Sequence, residues 1–153
     1  LYWLAKKNNY DLKFIKTSGM VNKKTINWIS SKIINFIKKE KIKLFNKRIL
    51  ILGVAYKQNI DDTRESPAFK IASKLKSKGY GFDYSDPYVP NITFNNKVKK
   101  SKKLTSNLLK KYPLVFIATD HTKFNYELIS KNAKYIFDAR NVIKNRKKNY
   151  FKV

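Results

Sequence analysis

The stretch RILILGV, residues 48–54, is a short continuous apolar run interrupted only by Gly53 near its end. Apolar runs of about four to eight residues bounded by turn residues are typical of strands buried on both faces of a parallel sheet. A polar loop follows, and Ser66 and Pro67 then mark a helix start, because serine caps helices and proline fits their first position. The pattern predicts a buried strand, a long loop and a helix.

Further apolar runs and helical patterns alternate along the rest of the chain. The predicted helices are 66–79, which ends at Gly79, 105–111 and 124–131, and the later predicted strands are 80–85, closed by the turn signal Asp86-Pro87, 114–118 and 135–138. We expect residues 88–103, which are rich in Lys and Asn, to form a loop. The order β-α-β-α-β-α-β predicts the α/β fold class, with a Rossmann-like parallel sheet flanked by helices.

A helical segment precedes this α/β pattern. We predict one helix over residues 1–8 and a second over 22–39, capped by Asn22. The second helix carries a stripe of isoleucines at helical spacing: Ile26, Ile29, Ile33 and Ile37. Such a stripe is more typical of a core face than of a partner surface. The expected division is therefore a helical segment, 1–40, and an α/β domain, 41–153.

The chain of 153 residues has 35 Lys and Arg against 10 Asp and Glu, a formal net charge of +25. Such an excess is found in proteins that bind nucleic acid. Of these cations, however, 31 are Lys and 4 are Arg, whereas base readout favours Arg, and the 16 Asn and 16 Ile are also encoded by A/T-rich codons. We therefore expect a compositional origin for the charge and no nucleic-acid partner. The alternative is a non-catalytic basic α/β interaction module whose 97–103 segment binds an acidic or nucleic-acid partner.

Other features disfavour whole classes of function. No apolar run approaches the roughly 18–20 residues of a membrane-spanning helix, so we expect no membrane association. The chain has no Cys and a single His, His121, so it lacks a thiol nucleophile and the ligands of a Cys- or His-based metal site. We expect a structural role for His121 and no bound metal. The first residue is not Met and no signal peptide is evident, so we expect a piece of a longer, cytoplasmic protein.

The loop after the first strand, residues 53–66, is the strongest candidate for a binding site, because ligands of open parallel sheets lie beyond the carboxyl ends of the strands. This loop is too long and too poor in Gly for the tight turn that holds a dinucleotide diphosphate. It does carry Lys57 and Arg64 close to a helix start, where phosphate is favoured. The alternative is that both are solvated cations and that Arg64 pairs with the acids of its own loop, Asp61, Asp62 and Glu65.

The string ILILGVAYKQNIDDTRESPA, residues 49–68, closely resembles the signature of the C-terminal, UDP-binding domain of the UDP-glucose/GDP-mannose dehydrogenase family. Three later strings resemble the same family in the same order: SDPYVP at 85–90, TDHTKFNYELI at 119–129 and FDARNVIK at 137–144. Residues 1–37 resemble part of its central helical region. The TDH and FNY forms are most similar to the branch that oxidises UDP-N-acetylhexosamines, such as the UDP-N-acetylglucosamine 6-dehydrogenases.

This resemblance implies a function that is shared between domains. Enzymes of the family oxidise the C6 hydroxymethyl group of a nucleotide sugar to a carboxylate in two NAD-dependent steps, through a thiohemiacetal and a thioester on a Cys. The resemblance implies that this Cys, and the domain that binds most of the NAD, lie upstream of the chain, which has no catalytic residue of its own and is inactive alone. It also implies a homodimer formed through the central helix, in which the isoleucine stripe is buried against another subunit.

The resemblance assigns roles to four residues of this chain. Tyr56, Lys57 and Arg140 match positions that bind the UDP-sugar, and Arg64 matches an Arg that reaches NAD held by the other domain. Arg140 follows the last predicted strand, which agrees independently with ligand binding at strand ends. The alternatives are that Tyr56 only packs and that Arg140 only pairs with Asp138.

Overall fold

The computed structural model describes residues 2–144 and 150–152 of the chain. Its helices are α1 Tyr2–Lys7, α2 Lys13–Lys39, α3 Pro67–Ser77, α4 Ser106–Lys111 and α5 Tyr126–Asn132. Its strands are β1 Arg48–Leu52, β2 Gly81–Ser85, β3 Asn91–Phe94, β4 Lys97–Lys100, β5 Leu114–Ile117, β6 Tyr135–Asp138 and β7 Tyr150–Lys152. The helix predicted over 1–8 corresponds to α1, although Leu1 lies outside the described residues.

The larger sheet has five parallel strands in the order β2-β1-β5-β6-β7. Its register places Ile51 of β1 beside Tyr84 of β2 and Phe116 of β5. The chain adds β2 on one side of β1 and β5 on the other, so the strand order reverses between β1 and β5. This is the switch point where ligands of such sheets bind. The predicted Rossmann-like parallel sheet is confirmed.

Helices cover both faces of this sheet. α2 and α3 pack on one face, and α4 and α5 on the other. The side chains of β1 alternate between the two layers, Ile49 and Ile51 toward the first and Leu50 and Leu52 toward the second, and all four are fully buried. Burying each such side chain contributes about 1.5–3 kcal/mol. This double burial explains why an uninterrupted apolar run, and not an alternating one, marks the central strand.

The isoleucine stripe of α2 packs on the α/β domain of the same chain. Ile33 and Ile37 are buried in the core layer beneath α2 and α3, and Ile26 and Ile29 are partly buried against the same layer. The stripe is therefore a core face of this chain, as its spacing favoured, and not the surface buried against another subunit that the resemblance implied. A partner subunit would have to use a different face of α2.

The predicted start of α2 was wrong. α2 begins at Lys13, and Asn22 lies in its interior, while the N-cap residue Leu12 makes no side-chain hydrogen bond. Thr17, Ser18 and Gly19 have low helix propensity, and a Gly inside a helix costs about 1 kcal/mol relative to Ala. This weak stretch made Asn22, which follows it, resemble a helix start. No Pro interrupts the segment, so the backbone hydrogen bonds continue through it.

The expected loop over 88–103 contains an antiparallel hairpin, β3 and β4. Its turn residues Asn95 and Asn96 have φ values of 50° and 58°, as the tight turns that match strand twist require. β7, which pairs with β6, was not predicted either. Within the described residues, no helix combines the length and the apolar character needed to cross a membrane.

Candidate functional site

The carboxyl edge of the sheet gathers the loop after β1 and the residues that follow β2, β5 and β6. Gly53 opens the β1 loop with a φ of 76°, a conformation that glycine adopts without strain. A Cβ at this position would lie 2.4 Å from the carbonyl oxygen of Thr119, which follows β5. A glycine is therefore required for the β1 loop to pass this closely over the end of β5.

A cleft of about 880 Å³ lies between this edge and helix α2, and we call it the edge cleft. Tyr56, Lys57 and Arg140, the three residues expected to bind substrate, all line it. The α2 wall is formed by residues that no sequence signal pointed to: Asn22, Thr25, Ile26 and Ile29. The sequence shows that α2 is amphipathic, but not that its polar residues face the loop after β1.

The geometry bears on the alternative roles of Tyr56, as a packing residue, and of Arg140, as a partner of Asp138. Tyr56 is 48% exposed, and the Lys57 ammonium lies 5.6 Å from the centre of its ring, so Tyr56 is not a core residue. Arg140 Nε donates a 2.7 Å hydrogen bond to Asp120, not to Asp138. The carboxylate of Asp138 instead accepts the backbone N–H of Arg140 and holds the turn after β6. The alternative that Arg140 only pairs with Asp138 is therefore wrong.

Arg64 does not line the edge cleft. Its side chain is 89% exposed, and Nε and Nη2 donate hydrogen bonds of 3.0 and 2.9 Å to Asp62. These bonds, together with one from the Arg64 backbone, lower the pKa of Asp62 to about 2, and the same contact raises the pKa of Arg64. Glu65 pairs with Lys70. Arg64 therefore stands outside the cleft, held by Asp62.

A buried pair, Asp86 and His121, fixes the loop after β1, and both side chains are fully buried. Asp86 Oδ2 accepts hydrogen bonds from the backbone N–H groups of Val54 and Ala55, at 2.7 and 3.2 Å, and from His121 Nε2 at 3.0 Å. His121 Nδ1 accepts the backbone N–H of Asn59 at 2.9 Å. Because Nδ1 is an acceptor, the ring proton lies on Nε2 and points at Asp86.

This pair is structural, as expected for His121, and it also positions the candidate site. Burial alone would raise the pKa of Asp86, but hydrogen bonds from His121 and from backbone N–H groups outweigh it and lower that pKa below its ordinary value. The side-chain oxygen of Asn59 accepts two more hydrogen bonds from Thr122. The loop that carries Tyr56 and Lys57 is thereby attached to the ends of β2 and β5.

Neither the composition of the sequence nor the spacing of its residues reveals this pair. Asp86 and His121 follow two different strands, and they meet only because both strands flank β1. As for other chemistry, no three His, Cys, Asp or Glu side chains come together as metal ligands in residues 2–144 and 150–152. What the edge cleft offers is a set of cations and hydrogen-bond donors suited to holding an anion.

Comparison with known proteins gives one family. Residues 50–145 match the model of the UDP-glucose/GDP-mannose dehydrogenase family, UDP binding domain. The UDP-N-acetyl-D-mannosamine dehydrogenase of Pyrococcus horikoshii is 29% identical over 94% of the chain, and the UDP-glucose 6-dehydrogenase of Drosophila melanogaster is 32% identical over 65% of it. The solved structure of the UDP-D-ManNAc dehydrogenase from Pyrococcus horikoshii covers 97% of the chain with a TM-score of 0.74 and 26% identity.

The chain is much shorter than these relatives. It spans 33% of the Pyrococcus horikoshii sequence, 26% of the Drosophila melanogaster sequence and 34% of the solved chain.

Proposed function

The chain belongs to the UDP-glucose/GDP-mannose dehydrogenase family, and we propose that it supplies the UDP-sugar-binding part of an NAD-dependent nucleotide-sugar 6-dehydrogenase. One observation carries the proposal: Tyr56, Lys57 and Arg140 line a single cleft at the switch point of the sheet. Two of the three are cations that follow different strands. Their convergence is what a diphosphate between two sugars requires.

Each of the three residues has a distinct role in this proposal. The flexible Lys57 ammonium is a point charge for the diphosphate, and none of the described carboxylates lies within ion-pairing distance of it. Arg140 is held in place through Nε by Asp120, which leaves its terminal nitrogens for the ligand. Tyr56 adds a half-exposed ring beside Lys57.

We propose a UDP-N-acetylhexosamine as the substrate. In support, the Pyrococcus horikoshii relative is named for UDP-N-acetyl-D-mannosamine. The Drosophila melanogaster relative is named for UDP-glucose, so the unacetylated UDP-glucose is the competing candidate for the substrate. A relative named for mannosamine supports the N-acetylhexosamine class expected from the sequence, and within that class it favours no N-acetylglucosamine substrate in particular.

NAD, in this proposal, is bound mainly by a domain outside the chain. The loop after β1 lacks the glycine-rich turn for a dinucleotide, and of the residues proposed here only Arg64 points away from the edge cleft. Asp62 occupies Nε and Nη2 of Arg64, which leaves Nη1 to reach a cofactor held opposite. When bound, NAD supplies the hydride acceptor. The chain has no Cys, so we expect it to be inactive alone.

The helical segment 1–40 is proposed to form a homodimer contact in the longer protein. In support, α1, α2 and the turn between them expose large apolar side chains: Trp3, Tyr10, Phe14, Met20 and Trp28. A cytoplasmic location and the absence of a nucleic-acid or membrane partner remain predictions, and so does the division of the chain at about residue 40.

Calorimetric titration of the chain with UDP tests the proposed function. Lys57→Ala is expected to weaken UDP binding at least about tenfold, which is about 1.4 kcal/mol, because the diphosphate loses a charged partner. Lys74→Ala, which removes an equal charge from an exposed position of α3, is the matched control. Equal UDP affinity in the wild type and in Lys57→Ala contradicts the assignment of the edge cleft.

A further inference from the structure

A second cavity, of about 870 Å³, is lined mostly by residues that follow β2, β4 and β5 and shares no lining residue with the edge cleft. We call it the lysine groove, after the four lysines among its lining residues: Lys100, Lys102, Lys103 and Lys123. Nothing in the proposed binding of a UDP-sugar uses it. Its volume lies within the range of about 300–1,000 Å³ that is usual for small-molecule sites.

The positive charge of the lysine groove is not neutralised by the protein. In the part of the chain that the structure describes, none of the four ammonium groups has a carboxylate within 4.0 Å. Among the described residues that line the groove, Asp86 alone is acidic, and its two oxygens are already engaged by His121 and by backbone N–H groups. Like charges that converge in a concavity focus a field that attracts anions.

The lysines stand on a rigid wall. The hydroxyl of Ser101 both accepts from the backbone N–H of Asp86 and donates to its carbonyl, at 2.8 and 2.9 Å. The backbone N–H of Lys102 donates to the carbonyl of Tyr84 at 2.9 Å. These bonds hold the segment after β4 against the end of β2. The cations are therefore carried by a preorganised backbone, which lowers the entropy cost of binding.

The remaining walls define the kind of anion that fits. Lys123, which follows β5, also lines the groove, and its ammonium lies 4.4 Å from the ring centre of Tyr88. The lining includes an apolar part, which we call the floor: Leu104, Phe124 and Leu128. Cations from two segments of the chain beside apolar side chains suit a compact, multiply charged group that bears an organic part.

We propose that the lysine groove is a second anion site that binds a diphosphate group, carried by a nucleotide or free as pyrophosphate. The two sources share the chemistry of the charged group and differ in the organic part that the floor would contact. The site is separate from the UDP-sugar cleft, so the proposal does not depend on the function of that cleft.

Calorimetric titration of the chain with pyrophosphate and with ADP, near 0.15 M salt where surface attraction is screened beyond about 8 Å, tests the site. Because the edge cleft is also proposed to hold a diphosphate, the titrations are carried out in the Lys57→Ala background, where Lys102→Ala/Lys123→Ala is expected to weaken both ligands at least about tenfold. Lys16→Ala/Lys74→Ala, which removes the same charge from exposed helix positions outside both cavities, is expected to leave both affinities unchanged. Lys102→Arg keeps the charge and is expected to retain binding, which separates loss of the site from loss of the fold.

Several results overturn the proposal. Equal weakening by the two double variants assigns the binding to general charge, and loss of binding in Lys57→Ala alone assigns it to the edge cleft. Affinity for single-stranded oligonucleotides that rises with their length and is lost in Lys102→Ala/Lys123→Ala identifies a nucleic-acid groove instead.

Equal affinity for pyrophosphate and ADP supports recognition of the diphosphate alone, and tighter ADP supports a nucleotide. Titration with UDP followed at the backbone amide of Lys57 tests the edge cleft separately, since the proposal expects UDP binding at that amide to be unchanged by Lys102→Ala/Lys123→Ala.

Discussion

Asp86 is the residue on which the geometry of the ligand edge depends. Its carboxylate accepts one hydrogen bond from His121 and four from backbone N–H groups, those of Val54, Ala55, Tyr88 and Val89. A buried carboxylate is costly unless it is hydrogen-bonded, and this one is fully satisfied. By holding the loop after β1, it fixes the backbone on which Tyr56 and Lys57 stand.

Asp86→Asn is expected to lower the free energy of unfolding at pH 7 by about 2–3 kcal/mol, because an amide cannot accept all five bonds and buries an NH₂ among donors. The pKa of Asp86 is lowered in the folded protein, so its stabilisation is complete above the ordinary value of 3.8 and is lost as pH falls through the lower folded value. The deficit of the variant should therefore shrink in acid.

Urea unfolding at pH 7 and at about pH 3, followed by circular dichroism, measures this difference. Asp61→Asn, at an exposed position of the same loop, is the matched control and should change stability little at either pH. A deficit of Asp86→Asn that stays the same at both pH values contradicts the role given to the ionised carboxylate.

The candidate site residues divide into those that local sequence reveals and those that it does not. Lys57 and Arg140 each follow an apolar run directly, so the rule that ligands bind at strand ends finds them. Asp86 and His121 are 35 positions apart and touch only because the strand order is β2-β1-β5. That order is a property of the folded sheet, and no local pattern encodes it.

Helix α2 is an element with two different halves. Its C-terminal half carries the buried residues Ser30, Ile33, Phe36 and Ile37, while the half before Ile26 is largely exposed. Only the C-terminal half is held by the α/β core. The isoleucine stripe revealed that half from sequence, whereas the true start at Lys13 lies in a part without a stripe.

Ile33→Ala is expected to lower the free energy of unfolding by about 2–5 kcal/mol, because Ile33 is fully buried and its loss leaves a cavity between α2 and the sheet. Val21→Ala, another β-branched residue of the same helix, is 53% exposed and should change stability by less than about 0.5 kcal/mol. Urea unfolding compares the two, and similar losses contradict the division of α2 into a packed and an unpacked half.

The sequence of strand β4 shows why it was missed. β4 reads KVKK, with Val98 70% exposed, and so it shows no buried face, while β3 beside it buries Ile92 and Phe94. β4 exists because it pairs with β3 across the Asn95-Asn96 turn. The strands that were predicted, by contrast, are stabilised by burial, which leaves a pattern in the sequence.

At the scale of the whole molecule, exposed apolar surface is concentrated in α1 and the first half of α2, away from the α/β core. Phe14 is 86% exposed and Trp3 is 72% exposed. Burying such side chains against a second copy recovers free energy that they lack in a single chain. The sequence could not separate this surface from the core stripe, because both lie in helices and both are apolar.

Sedimentation equilibrium is expected to show a mass that rises from monomer to dimer with concentration. Trp3→Glu/Phe14→Glu should shift the chain to monomer, because it buries charge at the proposed contact. Lys16→Glu/Lys23→Glu is a control that changes charge at exposed polar positions of α2. A monomer at every concentration in the wild type contradicts the homodimer proposed for this segment.

The net charge of +25 is also a property of the whole molecule. Most lysines lie on exposed surfaces, and several cavities gather cations, among them the edge cleft with Lys57 and Arg140, and the lysine groove. Total charge alone does not reveal either cavity. The two share no lining residue, and Asp86, which lines the lysine groove, also holds the loop after β1, which lines the edge cleft.

The central claim is that the switch-point edge of this sheet binds the UDP part of a nucleotide sugar. Titration of the isotope-labelled chain with UDP, followed residue by residue in ¹⁵N NMR spectra, tests it most directly. The account predicts saturable shifts of the backbone amides of Tyr56, Lys57 and Arg140, with the amides along α4 unchanged. Shifts that are absent, or that cluster only around the lysine groove, would contradict it.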